Sequence, residues 1–151
     1  MAGKNKSVRT ITLCSSADFF KELIEIGVQL EARGFKIKLP LTAVKMKKSG
    51  DFNVAKYKTW FKNPNDYKKK AFLTKSHFDK VRSGDAILVV NNEKRGISGY
   101  IGGATLMEMA IASYLKKPIY VLNGVSKKSL LYEEIMGLKP IFINGDLSKI
   151  E

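Results

Sequence analysis

Five short apolar runs, each ended by turn-forming residues, alternate along the chain with longer segments in which apolar residues recur at helical spacing. The runs are rich in β-branched and aliphatic residues. We predict strands at residues 8–14, 35–39, 85–91, 118–123 and 140–144. The third run is apolar through its middle without alternation, which indicates a strand buried on both faces. This strand is therefore predicted at the centre of a sheet.

The segments between these runs have the spacing of amphipathic helices. We predict helices at residues 19–34, 71–83, 103–116 and 130–136. Strands that alternate with helices require right-handed crossovers, which place helices on both faces of a mostly parallel sheet. The predicted fold class is therefore α/β, a Rossmann/flavodoxin-like three-layer sandwich with a five-stranded, mostly parallel sheet.

Residues 41–69 lack a clean period and contain two turn-forming clusters, at 49–51 and 63–65. We therefore predict an irregular, lysine-rich insertion after the second strand. A loop of this length in a compact domain usually forms a lid or a binding segment, or is partly disordered. The sequence leaves these three alternatives open.

The chain of 151 residues fits one compact domain, which we expect to span residues 1–151. Its one cysteine, Cys14, cannot form a disulfide within the chain, which favours a reducing compartment. Residues 1–6 are basic without an apolar region behind them, and no apolar stretch approaches the ~20 residues of a membrane span. We expect a cytoplasmic protein without a membrane partner.

The formal net charge of +13 creates a field that attracts phosphate groups. Lysines recur densely between Lys45 and Lys80. Aromatic residues lie among them, namely Tyr57, Trp60, Phe61, Tyr67 and Phe72. Such a mixture can contact a nucleic-acid backbone and stack bases, so nucleic acid is one candidate partner. The alternative is a solvated lysine-rich face, because no RNP, KH, helix-turn-helix or zinc pattern accompanies these residues.

Polar residues follow the predicted strands at the edge where parallel sheets bind ligands, outside the strands' carboxyl ends and near the switch point. Three glycines and Thr105 surround the start of the helix at 103–116, whose free backbone N–H groups can receive a phosphate or a carboxylate. A plain turn with a Gly/Thr cap is the alternative. The candidate substrate-binding residues are Ser15, Ser16, Asp18, Asn91, Ser98, Gly99, Gly102, Gly103 and Thr105.

Glu108 lies one turn into the helix predicted at 103–116, and its neighbours in sequence are apolar. An ionised carboxylate is rarely buried without partners. Glu108 therefore either stabilises the helix start as a capping acid or faces a pocket at the strand ends.

Three segments, at 85–91, 103–112 and 117–122, resemble the core motifs of the nucleoside 2-deoxyribosyltransferases and the related 2′-deoxynucleoside 5′-monophosphate N-glycosidases. The resemblance implies that Glu108 is the nucleophile that attacks C1′ of the sugar, a role that suits a carboxylate able to trap a sugar cation. It also implies a homodimer or a higher homo-oligomer. We expect no metal and no other cofactor.

The chain departs from the family's pattern at three positions. His77 stands where the family has an aspartate, and it acts as a general acid or sugar contact or merely lines a helix surface, with Asp79 as the nearby alternative. Asn92, with Glu93 beside it, stands near the place of an acid after the central strand, and an asparagine can still bind a hydroxyl group. Ala110 replaces a glycine.

The sequence thus predicts an enzyme that hydrolyses or transfers at the N-glycosidic bond of (deoxy)nucleosides or their 5′-monophosphates. Its candidate catalytic residues are Glu108, His77 and Asn92. The glycine-rich loop and the lysines favour nucleotides over nucleosides. The alternative is a nucleotide-sensing or nucleic-acid-binding module that has the same fold without catalysis, which the histidine at position 77 and the lysine-rich insertion motivate.

Overall fold

The computed structural model describes residues 7–151 and contains one five-stranded sheet in this part of the chain. The strands are β1 (Thr10–Cys14), β2 (Lys36–Lys38), β3 (Ala86–Val89), β4 (Ile119–Val121) and β5 (Ile141–Phe142). Their order is β2-β1-β3-β4-β5, and each neighbouring pair is parallel. This order is typical of flavodoxin-like folds and confirms the predicted parallel sheet.

Helices cover both faces of the sheet. They are α1 (Phe20–Ala32), α2 (Leu41–Ser49), α3 (Tyr67–Ser83), α4 (Gly103–Tyr114) and α5 (Tyr132–Gly137). The side chains of β3 alternate between two cores, because Leu88 packs with α1 and α2 whereas Ile87 packs with α3, α4 and α5. All four residues of β3 are fully buried. The structure therefore has the predicted three layers, with β3 at their centre.

The segment 41–69 is more regular than the predicted insertion, because it contains α2 and the start of α3. Pro40 precedes α2, and Gly50, with a φ of 71°, ends it. Along α2 only Ala43 and Met46 are buried, while the lysines are exposed. Two buried positions are too few to produce an apolar period, which explains why the sequence pattern indicates a loop here.

The rest of this segment packs against the body of the protein. Trp60 is buried, and Tyr57 packs against the core that contains α1. A turn at Pro64–Asp66 leads directly into α3, which begins at Tyr67 rather than at the predicted residue 71. The segment therefore forms a fixed wall beside the carboxyl edge of the sheet.

Residues 7–151 contain no helix that is both long and apolar enough to cross a membrane. The basic segment 1–6, for which the sequence predicts no targeting signal, lies outside the described residues.

Candidate active site

A cavity of about 230 Å³ opens at the carboxyl ends of β1 and β3, where the strand order of the sheet reverses. Parallel sheets bind ligands at this position because the connections after the two strands diverge to opposite faces. The cavity walls come from the segment after β1, from α2 and the segment that follows it, from α3, from the loop before α4, and from the first turns of α4. The lysine-rich segment and the predicted strand ends therefore meet in one place.

Glu108 lines this cavity from the second turn of α4. Gly102 is the N-cap of that helix, and Glu108 lies too far along it to cap its start. The Glu108 side chain is 14% exposed, and no described residue forms a hydrogen bond with its Oε2 atom. Burial raises the pKa of Glu108 to about 7. Of the two roles that the sequence leaves open, the structure therefore favours the one in which Glu108 faces a pocket.

His77 lies on α3 and is almost completely buried in the wall of the same cavity. Its Nε2 atom donates a hydrogen bond to the carbonyl oxygen of Leu13 at 3.0 Å. Burial lowers the pKa of His77 to about 4, so the ring is neutral near pH 7. The hydrogen bond to Leu13 assigns the proton to Nε2 and leaves Nδ1, which has no partner among the described residues, as an acceptor.

Cys14, the last residue of β1, lies beside both of these side chains. Its Sγ atom is 3.5 Å from Nε2 of His77. Burial raises the pKa of the Cys14 thiol well above its usual range, so the thiol keeps its proton. Its hydrogen bond to Glu108 lowers the pKa of that carboxyl group, against the larger effect of burial. The Cys14 thiol also contacts the carbonyl oxygen of Thr12 at 4.0 Å, so it lies between the backbone of β1 and the buried acid.

Cys14, His77 and Glu108 each offer a potential metal ligand, and these three atoms lie within 4.8 Å of one another. A thiolate, an imidazole and a carboxylate are ligands that zinc accepts. Zinc binding would require the thiol to lose its proton and the imidazole to present a free nitrogen. In the described structure Nε2 of His77 donates to the carbonyl oxygen of Leu13, and it lies 3.5 Å from Sγ of Cys14 and 3.9 Å from Oε2 of Glu108.

Three lysines that the sequence did not single out, Lys58, Lys70 and Lys94, also line the cavity. Burial lowers the pKa of Lys58, and the positive charges of Lys70 and Lys94 lower it further. Repulsion of this kind shows that the three ammonium groups share one region. The cavity therefore combines a buried acid with a cationic wall, and an anionic ligand would relieve the repulsion.

Lys94 is fixed in place by residues from the segment after β1. It forms an ion pair with Asp18, and its Nζ atom lies 3.2 Å from Oγ of Ser16. The same atom lies 5.0 Å from the centre of the Tyr100 ring. The hydrogen bond from Lys94 holds the pKa of Asp18 below its ordinary value. Asp18 therefore positions Lys94.

The structure brings most of the predicted site residues to this cavity. Those that line it are Ser15, Ser16, His77, Gly102, Gly103, Thr105 and Glu108. The alternatives to two candidate catalytic residues lie elsewhere. Asp79 forms ion pairs with Lys75 and Arg82 on the surface of α3. Glu93 is exposed and does not line the cavity.

The other five predicted residues do not line the cavity. Asp18 positions Lys94, and Asn91, Asn92, Ser98 and Gly99 shape the loop before α4. Asn91 is fully buried, and its side chain bonds to the backbone of Gly99 and of Asn123. Gly99 has a φ of 65° and packs against the carbonyl group of Gly124. The backbone carbonyl groups of Asn92 and Ser98 accept hydrogen bonds from Tyr100 and Ser126. These residues hold the loop that carries Lys94 and Tyr100.

Two residues of the site, Cys14 and Lys94, were not predicted as site residues, although their positions next to strand ends could have indicated them. Cys14 is the last residue of a strand that ends at the site, and Lys94 follows the central strand at the same edge of the sheet. The rule that ligands bind outside the carboxyl ends of parallel strands applies to both positions. Lys58 and Lys70 carry no such signal, because neither follows a strand of the sheet: Lys58 lies in the segment without a period and Lys70 lies on α3.

No protein-family model matches this chain, and no curated protein matches its sequence. Among solved structures, the chain is similar to the CMP N-glycosidase BcmB of Clostridium botulinum. The TM-score is 0.48 and the sequence identity is 14%, over 89% of this chain and 88% of that chain. The likeness is distant and concerns the arrangement of strands and helices only.

Proposed function

We propose that this protein breaks the N-glycosidic bond of a nucleoside or nucleotide, with Glu108 as the nucleophile. One observation carries this proposal: Glu108 is buried in the wall of the cavity at the switch point, and its Oε2 atom has no hydrogen-bond partner among the described residues. No other acidic side chain in residues 7–151 lines this cavity. A carboxylate in such a position can attack a sugar carbon that approaches from the open side.

In the first step the Glu108 carboxylate forms a bond to C1′ of the sugar while the C1′–N bond breaks. The base leaves with the electron pair of that bond and takes up a proton from solvent water, to which the nucleophile of the second step later returns one. In the second step water, or the nitrogen of another base, attacks C1′ and releases Glu108, so the sugar retains its configuration. Burial assists the first step because a poorly solvated carboxylate is a stronger nucleophile than a hydrated one.

His77 suits binding of the sugar better than donation of a proton to the base. Its pKa of about 4 leaves almost no imidazolium near pH 7. Its unpartnered Nδ1 atom is an acceptor that a sugar hydroxyl group can use. We therefore assign His77 to a sugar contact, one of the roles that the sequence leaves open.

The cationic wall favours a substrate that carries a 5′-phosphate. Lys58 and Lys94 supply positive charge, and Ser16 supplies a hydroxyl group. The N-terminus of α4, at Gly102 and Gly103, presents free backbone N–H groups to the same cavity. Nucleoside 5′-monophosphates are therefore the proposed substrates, ahead of nucleosides.

The test is to incubate the purified protein with ribo- and deoxyribonucleosides and their 5′-monophosphates and to measure the free base by chromatography. Monophosphates should release base, and Glu108→Gln should reduce the rate at least about a thousandfold. Glu134→Gln, which changes an exposed acid on α5, is the matched control and should keep full activity. Release of no base from any compound, or full activity in Glu108→Gln, would refute the proposal.

A further inference from the structure

A second cavity adjoins the candidate active site on its lysine-rich side. The two cavities share a wall made by Leu41, Thr42, Tyr57, Trp60 and Leu73. Beyond that wall the second cavity is lined by Lys45, Lys68, Lys69 and Phe72, and we call it the basic groove. The groove therefore lies next to the cavity that contains Glu108, on the other side of this wall.

The charge of the basic groove is strongly positive. Eleven lysines and three aspartates lie between Leu41 and Lys80, without arginine or glutamate, so this segment carries most of the net charge of +13. Ion pairs already engage the aspartates, since Asp51 contacts Lys56 and Asp66 contacts Lys69. No acidic side chain lines the groove in the described part of the chain. Its electrostatic complement is a polyanion.

An exposed aromatic ring lies among these cations. Phe72 is 66% exposed although α3 packs its opposite face on the protein. An apolar ring in water between lysines is not explained by packing. Rings in this setting stack on nucleic-acid bases, and each neighbouring lysine can contact a phosphate. A fully extended anionic polymer without bases would use the lysines and leave Phe72 uncovered.

We infer that the basic groove binds single-stranded nucleic acid, with one base stacked on Phe72 and the backbone phosphates against Lys45, Lys68 and Lys69. Because the groove adjoins the cavity of Glu108, a strand bound here presents a neighbouring nucleotide at the mouth of that cavity. This second statement rests on the proposed function. Binding in the groove itself does not require catalysis.

The experiment measures binding of a fluorescently labelled eight-nucleotide oligo(dT) to the full chain by polarisation, at several salt concentrations. Phe72→Ala should weaken binding about tenfold, because alanine has no ring on which a base can stack. Phe72→Tyr should bind like the native protein, because tyrosine keeps an aromatic ring. The double variant Lys68→Gln/Lys69→Gln should lower the slope of log affinity against log salt by about 1.4, at about 0.7 per phosphate contact.

Lys36→Gln/Lys139→Gln is the matched control, since it removes the same charge from exposed positions at the amino ends of β2 and β5, opposite the cavity. Equal losses in the groove and control variants would overturn the inference, because the binding would then reflect net charge alone. Unchanged binding in Phe72→Ala, or equal affinity for a duplex, would also overturn it. Glu108→Gln should bind normally, so loss of base release and loss of binding are separate results.

Discussion

The Nε2 atom of His77 lies 3.9 Å from Oε2 of Glu108, and burial moves the pKa values of these two groups in opposite directions. The pKa of His77 falls to about 4, and that of Glu108 rises to about 7. Both changes favour the neutral form, because the cavity wall solvates either charge poorly. The contact is therefore not an ion pair near neutral pH, and the Glu108 carboxyl group faces the cavity without a charged partner in His77.

This relationship predicts how stability depends on pH. Between pH 4.5 and 7 the folded Glu108 binds more protons than the unfolded residue, so the free energy of unfolding falls, by about 3 kcal/mol in total. Between pH 4 and 6.5 the folded His77 binds fewer protons than the unfolded residue, so stability rises by about 3 kcal/mol. The two effects nearly cancel where they overlap.

Single substitutions should reveal each effect in urea unfolding measured from pH 4 to pH 8. Glu108→Gln removes the fall in the free energy of unfolding that Glu108 causes between pH 4.5 and 7. The difference in stability between this variant and the native protein should therefore shift in favour of the variant as pH rises to about 7. His77→Gln removes the rise in the free energy of unfolding that His77 causes, so the variant should become less stable relative to the native protein as pH increases from 4 to 6.5. Parallel curves for the native protein and both variants would contradict this prediction.

If the protein has the proposed activity, Cys14 should set the pH at which that activity appears. The nucleophile must be ionised, so kcat/KM should increase with pH through about 7, the pKa of Glu108. The Cys14 thiol lowers that pKa through its hydrogen bond, so Cys14→Ala should move the midpoint to higher pH. Cys14→Ser keeps a donor and should move it less. A pH–rate profile with one midpoint for all three proteins would exclude this role.

Lys94 should discriminate between a nucleotide and a nucleoside. If its ammonium group contacts the 5′-phosphate, Lys94→Met should raise KM for a 5′-monophosphate at least about tenfold, the usual cost of a lost charged hydrogen bond. KM for the corresponding nucleoside should change little. The measurement compares both substrates in the variant and in Lys36→Met, a control at the far edge of the sheet. Equal changes in the KM values for the nucleotide and the nucleoside would rule out a contact between Lys94 and the 5′-phosphate.

Gly99 should be essential for stability. Its φ of 65° is unfavourable for other residues, and an added Cβ atom would lie 1.9 Å from the backbone oxygen of Gly124. Gly99→Ala should cost about 3 kcal/mol or more, which lowers Tm by about 10 °C in a chain of this size. Gly137→Ala, where a Cβ meets nothing within 4 Å, is the control. Calorimetry that shows the same Tm for Gly99→Ala and the native protein would refute this prediction.

The sequence predicts the fold well because each strand of this sheet is marked by its own apolar run. The uninterrupted apolar run of β3 indicates its central position, and the strand-end rule then leads to Ser15, Ser16 and the start of α4. These are local signals. They place Glu108 at the correct edge of the sheet without any long-range contact.

The remaining features depend on contacts between distant segments. Asn91 resembles a ligand in sequence, yet Asn123, 32 residues away, engages its side chain. The pairing of Asp18 with Lys94 likewise joins two loops that the sequence shows only separately. The single domain over residues 1–151, the homo-oligomer, the choice between hydrolysis and transfer, and the cytoplasmic location stay predictions.

The most direct measurement looks for the sugar on Glu108 itself. The protein is mixed with a 5′-monophosphate that it cleaves, quenched in acid during turnover, and analysed by intact mass and peptide mapping. We predict a mass increase equal to one sugar-phosphate residue, located on the peptide that contains Glu108 and absent from Glu108→Gln. Release of base without such an adduct under any quench time, or an adduct on a different residue, would contradict the account.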